Sequence, residues 1–442
     1  MNDCPFKAGP KFPPLAALAV ALAFSGWLGM SSNPWPPSDG NFRVAVSVSP
    51  FTEMLLDSGI VYTDGKITAK SVEELQRLFV AHGATEVYAR VATSREKTAG
   101  IGDHSLNRGL KRARLARSLG LPFNPELDLF KFYGDVRCQP SPDFGEYPEL
   151  KVPGVWTSLT LEQMLPILRS YGGLVAKTIL DTGVKVNVWD LGNEVDFGVA
   201  GVSPGPLPEG CDDSLGQGWY QPPNRVDPEI GKRAVLDLLK LPESERIAWL
   251  QAHVWPYEAR ILAAVADGVR SVEPAARFST HVSGILAVRP NEAVAFFAAM
   301  KKGGYLPDEL GFSFYPSSTA EPADRLQAFK NTIAAVTGEF KRSAFLAEFA
   351  YPAADKAAQE GPFASWNHAL EHYPLTPQGQ ADILRDLATW GVAHRISGIR
   401  PWAPDTPIAA WDSFALFGSD GKLATARPGL SAIAEGARAP KP

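Results

Sequence analysis

Apolar and polar positions along the chain switch between two periods. Where they alternate, a strand is predicted; where apolar residues recur every three or four positions, a helix is predicted. Alternation or a short β-branched run marks residues 42–49, 86–93, 124–133, 184–191, 277–282, 310–315, 344–349 and 396–402 as eight strands. Helical spacing marks residues 71–82, 105–119, 161–182, 244–272, 325–340, 376–392 and 429–437. Thr376-Pro377 opens one of these as cap and first turn.

Strands that alternate with helices or long crossovers imply a parallel sheet. Eight such units predict an α/β fold, a (β/α)8 TIM barrel. It forms a single catalytic domain over residues 42–442, with long loops after its strands. No Gly-rich phosphate loop follows the first strand, which counts against a doubly wound dinucleotide-binding sheet. Residues 195–228, rich in Gly and Pro, form the longest irregular stretch.

Composition adds a compartment. The 442 residues are 45% hydrophobic and 21% charged, as in proteins with a large buried core. A net charge of −5 without any basic tract excludes nucleic acid as an expected partner. Lys7 and Lys11 precede an apolar run over residues 15–24, and small residues follow at Ser25, Gly26, Gly29, Ser31 and Ser32. This reads as a signal peptide over residues 1–32 and a linker over 33–41, so the protein is expected to be secreted or periplasmic. The apolar run is shorter than the ~20 residues that span a bilayer; an uncleaved N-terminal anchor is the alternative. Of three cysteines, Cys4 lies in the leader, and Cys138 and Cys211 are either bridged or free thiols.

In a barrel of this kind the reacting groups gather at the C-terminal ends of the strands. Those ends carry Arg90, Tyr133 and Asp135, Asn193-Glu194, His281, Tyr315-Pro316, Glu348, and Arg400-Pro401-Trp402. Glu194 and Glu348 end strands four and seven. Two carboxylates on one rim are the minimum apparatus for glycoside hydrolysis: one protonates the leaving oxygen, the other attacks the anomeric carbon or activates water. For several neighbours a plainer use stands beside this one. Arg90 is a sugar-site residue or a structural ion pair, His281 a ligand or a core histidine, Trp402 a stacking platform or core. Asp135 and Asp196 are sugar ligands or turn formers. Trp219, Tyr220, Trp366 and Trp411 are candidates for a longer cleft.

The stretch Leu191-Gly192-Asn193-Glu194-Val195-Asp196-Phe197-Gly198 resembles the strand-four motif of the retaining (β/α)8 glycosidase clan. Tyr133-Gly134-Asp135, residues 151–156 (KVPGVW), Ser313-Phe314-Tyr315-Pro316 and Glu348-Phe349-Ala350-Tyr351-Pro352 are similar, in order, to segments of glycoside hydrolase family 53, the endo-β-1,4-galactanases. The resemblance implies Glu194 as acid/base and Glu348 as nucleophile, with carboxyl groups at the retaining distance of about 5–5.5 Å. It implies that Asn193 bonds the sugar 2-hydroxyl and that Arg90 and Tyr315 hold Glu348 ionised. The substrate-binding set is then Arg90, Tyr133, Asp135, Asn193, His281, Tyr315 and Trp402. The chain departs from the family at Ala92, Phe132, Arg137, Ser317 and Ser318, positions that line its sugar sites. Galactan, or another β-linked polysaccharide or oligosaccharide, is the expected substrate and a monomer the expected state. Asp355, Glu360 and Asn367 show no ligand spacing, so no metal or other cofactor is expected.

Overall fold

The computed structural model describes residues 42–96, 103–132, 134–205, 225–354, 363 and 365–439. The leader, the linker, Cys4, Tyr133, Cys211, Trp219, Tyr220, Asp355 and Glu360 lie outside the described residues.

The strands of the barrel are β1 (Arg43–Val44), β2 (Val87–Val91), β3 (Phe123–Leu127), β4 (Trp189–Leu191), β5 (Phe278–Val282), β6 (Glu309–Phe314), β7 (Ser343–Phe349) and β8 (Ile396–Pro401). All pairs are parallel, in the order β1-β8-β7-β6-β5-β4-β3-β2. The seam between β1 and β2 is made by hydrogen bonds from each strand to a residue flanking the other. Thr85 N–H donates to Val44 O, Val44 N–H to Thr85 Oγ1 (both 2.9 Å), and Tyr88 N–H to Ser47 Oγ (2.6 Å).

The helices follow the apolar periodicity closely. Ser71 and Thr376 cap Val72–Ala81 and Pro377–Ala393, each accepting from a first-turn N–H. The longest helix, Leu161–Leu180, packs its buried face on Trp255–Arg270. There the two helices meet through Gly172 and Gly268; a Cβ on Gly268 would lie 2.0 Å from Arg169 O.

Four differences from the sequence reading have local causes. The helix expected over 244–272 is two, Glu243–His253 and Trp255–Arg270. Pro256 has no N–H to continue the ladder and restricts the residue before it, so the chain breaks at Val254. The strand expected over 124–133 pairs only to Leu127, because Leu129 turns the chain with φ 61°. Val184, Val186 and Val188 are buried as their alternation required, but ladder pairing within β4 begins at Trp189. The helices Pro50–Asp57 and Pro290–Lys302, and a small sheet of Val61–Thr63, Thr68–Ala69, Phe417–Asp420 and Leu423–Ala426, were not read from the sequence.

The barrel interior is polar, and three arginines are stacked in it. At the lower end Arg43 meets Glu86 and Glu309. Above it Arg400 donates to Glu126 (2.5 Å), Asp190 (2.9 Å) and Asn124 (3.0 Å), its guanidinium 3.7 Å from the Tyr88 ring centroid. At the top Arg90 lies 3.0 Å from the other oxygen of Glu126 and reaches the rim. Buried charges persist where each has a partner. Here every arginine has at least two.

Candidate active site

Glu194 stands where β4 leaves the barrel. Gly192 makes the turn with φ 78°, and a Cβ there would meet Val195 Cγ1 at 2.3 Å. Glu194 itself is left-handed (φ 49°), a conformation rare for residues with a side chain. The surroundings hold it there. Gln139 Nε2 donates to Asn193 O (2.7 Å), Trp255 Nε1 to Asp196 O (2.9 Å), and the Asp196 carboxylate accepts from Ser283 N–H (2.9 Å) and Oγ–H (2.7 Å). Strained backbone fixed from several sides is characteristic of reacting residues.

Glu348 reaches the same site through an irregularity in β7. Phe345 and Ala347 cluster inside the barrel with Ala45, so strict alternation would send Glu348 outward. The register against β6 steps from Phe312↔Leu346 to Ser313↔Glu348, leaving Ala347 as an extra residue. This bulge turns Glu348 toward the rim. There Arg90 Nη2 donates to Oε1 and the Tyr315 hydroxyl to Oε2, with Ser313 Oγ 3.5 Å from Oε2.

Asn193 precedes Glu194 and bonds the arginine that meets Glu348. Its Nδ2 donates to Gly134 O (2.7 Å), while Oδ1 accepts from Arg90 Nη2 (2.7 Å) and His281 Nε2 (3.0 Å). His281 is fully buried, so its contact is with Asn193 and not with the cleft. Asp135 is half-buried and accepts from Arg137 N–H at 2.9 Å, as a turn former does. Trp402, half-buried, sits with Tyr315, Phe363, Trp366, Trp411 and Phe414 in one aromatic group, its ring centroid 4.7 Å from Trp411 and 5.7 Å from Tyr315. Asp196 is buried against Ser283 and away from any sugar. Arg400 is also buried, beneath the rim.

The two carboxyls are electrostatically unlike. Burial, then the charges of Glu348, Asp135 and Asp196, push Glu194 up to about 8. One oxygen of Glu194 accepts from Val136 N–H at 3.2 Å. Glu348 instead has a guanidinium and a phenol hydroxyl aimed at its two oxygens. A neutral acid beside a charged carboxylate can donate a proton on one side of a bond and supply an electron pair on the other.

Sequence reasoning missed the support beneath this pair. Glu126, Asp190 and His281 bring ligand-type atoms within 4.8 Å of one another. Arg400 donates to both carboxylates and Arg90 pairs with Glu126, so cations of the chain itself fill that role. Acidic residues in the middle of buried strands were the available signal. A cavity of about 610 Å³ beside the loop after β3 is lined by Lys131, Phe132, Asp143 and Phe144, with neither Glu194 nor Glu348 in its wall.

The fold is shared with solved glycosidases. The catalytic domain of family 53 from Ignisphaera aggregans superposes with a TM-score of 0.64 at 18% identity, over 90% of this chain and 98% of that one. A fungal β-1,4-galactanase gives 0.60 at 16%, over 89% and 98%. An exo-β-1,4-mannosidase from Opitutaceae bacterium strain TAV5 gives 0.50 at 15%, over 92% and 61%. No curated protein sequence matches the chain significantly. The structural likenesses define the fold as a (β/α)8 barrel. Residues 230–425, which carry β5 to β8 and Glu348, match the model of glycosyl hydrolase family 53.

Proposed function

We propose that the protein is an exported, monomeric, endo-acting retaining β-glycanase whose first candidate substrate is β-1,4-galactan. The observation that carries the retaining reading is the pairing of an anchored carboxylate, Glu348, with a carboxyl pushed up to about 8, Glu194. In the first step Glu348 attacks the anomeric carbon, the glycosidic C–O bond breaks, and Glu194 gives its proton to the leaving oxygen. In the second, Glu194 takes a proton from water, whose oxygen displaces Glu348 from the same carbon. Esterification removes the Glu348 charge, one of the causes that raise Glu194, so the pKa of Glu194 falls and the group stays ionised after donating, free to take a proton from water.

Galactan is favoured by the family match over residues 230–425. The departures at Ala92, Phe132, Ser317 and Ser318 favour testing mannan, xylan and β-glucans beside it. Product release from these four polysaccharides, with the anomer of the first product followed by proton NMR, tests the reading. Oligosaccharides of retained configuration from galactan are expected. Product of inverted configuration would remove the double displacement, and release from another polysaccharide alone would replace the substrate. Binding without release would favour a non-catalytic carbohydrate-binding barrel.

A further inference from the structure

His281 takes part in the site without touching its cleft. It lies on β5, fully buried, and stands against Gly311 of β6, where a Cβ would meet His281 Cβ at 2.4 Å and Cα at 2.8 Å. β6 thus comes close to the base of the His281 side chain, where any larger residue at Gly311 would collide with it. From there Nε2 is 3.0 Å from Asn193 Oδ1 and Nδ1 is 3.7 Å from Asp190 Oδ2, an ion-pair distance rather than a hydrogen bond. Asp190 is in turn held by Arg400 at 2.9 Å.

The contacts decide the proton positions. Arg90 can only donate, so the Asn193 atom that it meets at 2.7 Å is the amide oxygen. The other amide atom meets Gly134 O at 2.7 Å and is the nitrogen. Both demands agree on one orientation of the amide. His281 Nε2 faces that oxygen and therefore carries a hydrogen. A bare Nδ1 lone pair would face the Asp190 carboxylate, so the second nitrogen is protonated too. Charge balance agrees. Arg90 and Arg400 stand against Glu126, Asp190 and Glu348, and Asp128 is pushed well above the carboxylate range by burial and by Glu126. One further cation completes the set. Burial alone would lower His281, but Asp190, Glu126 and Glu348 push it up to about 9.

We infer that His281 is a positioning residue that, with Arg90, saturates the Asn193 amide oxygen and leaves one amide N–H for the sugar hydroxyl beside the reacting carbon. The two cations also draw electron density through the amide and strengthen that remaining donor. This rests on the reading of Glu348 as nucleophile, which sets the sugar over Asn193.

A double-mutant cycle on kcat/KM tests it, with H281L, N193A and H281L/N193A on the polysaccharide that the wild type cleaves best. Acting through Asn193, H281L lowers kcat/KM by about tenfold or more, the scale of coupling within one hydrogen-bond network, yet costs under about twofold once Asn193 is Ala. H281Q, whose amide can still donate, recovers most of the loss. Equal factors in both backgrounds would overturn the inference and leave the function standing. The charge state is read without substrate, by long-range ¹H–¹⁵N spectra of ¹⁵N-histidine protein at pH 7.5, with H281Q assigning the signal. Two protonated ring nitrogens are expected. A neutral imidazole overturns the proposal even if no polysaccharide is cleaved, which would instead count against the function.

Discussion

Arg90 and Glu348 are joined by a direct contact from Nη2 to Oε1, and the same nitrogen donates to Asn193 at 2.7 Å. Below, Arg90 Nε is 3.0 Å from Glu126. One guanidinium therefore orients Glu348, Asn193 and the floor of the site.

Replacing Arg90 should act on both stability and rate. Arg90→Met leaves Glu126 and Glu348 buried without this cation, and breaking one partner of a buried pair costs about 3–5 kcal/mol. The loss in kcat/KM should reach about 10²–10³-fold, as for removal of a preorganised donor. Arg90→Lys keeps charge but not the fork, and should recover melting temperature more than rate. Thermal melts and steady-state kinetics on the same preparations separate the two.

The pH profile follows from Glu194. In the proposed mechanism its acid form donates, and its pKa is pushed up to about 8, so kcat/KM should fall as pH rises through that value. The same shift affects stability. The folded chain keeps a proton on Glu194 that the unfolded chain, near 4.5, has lost. Folding is therefore favoured below about 4.5, and that contribution is lost progressively as pH rises to about 8. Glu194→Gln cannot ionise. Its melting temperature should exceed that of the wild type by more at pH 8 than at pH 4; an equal difference at both would count against a raised Glu194.

Glu348→Ala should abolish turnover with the fold intact. Azide should then restore activity on an activated glycoside and give the opposite anomer, because the small anion enters the vacated face. Glu194→Ala should spare the first step for substrates with good leaving groups, which need little protonation. Azide product with retained configuration at Glu348→Ala would exchange the two roles.

Cys138 is disulfide-bonded, and Cys211 is the partner expected from the sequence. Peptide mapping of the unreduced protein should find the Cys138–Cys211 pair. A bridge closing a loop of this size contributes about 3–5 kcal/mol if unstrained, so Cys138→Ser should lower the melting temperature by several degrees. A mixed disulfide to Cys4 would assign the bridge differently.

Export predicts a new N-terminus. Intact-mass analysis of protein recovered from outside the cytoplasm should place it between about Ser25 and Pro37. Retention of Met1 would instead indicate the uncleaved anchor.

The sequence determined the eight barrel strands and their order along the chain. Alternation at residues 184–188 and the short apolar run at 344–349 placed Asn193-Glu194 and Glu348 near strand termini, because both are local patterns that a barrel only has to accept. Helix limits were equally legible at Ser71 and Thr376, where cap and first turn are neighbours in sequence. What the tertiary structure decided lies between residues far apart in the chain. The bulge at Ala347 aims Glu348 inward, and its cause is the register against β6, not anything in residues 344–349. Arg400 and His281 read as rim residues because they end strands, yet Arg400 turns down onto Glu126 and Asp190, and His281 onto Asn193. Those partners are set by which strands the closed barrel makes adjacent and by which charges must find each other away from water. A one-dimensional pattern records that a residue is buried; the choice of partner is made only when the strands are brought together.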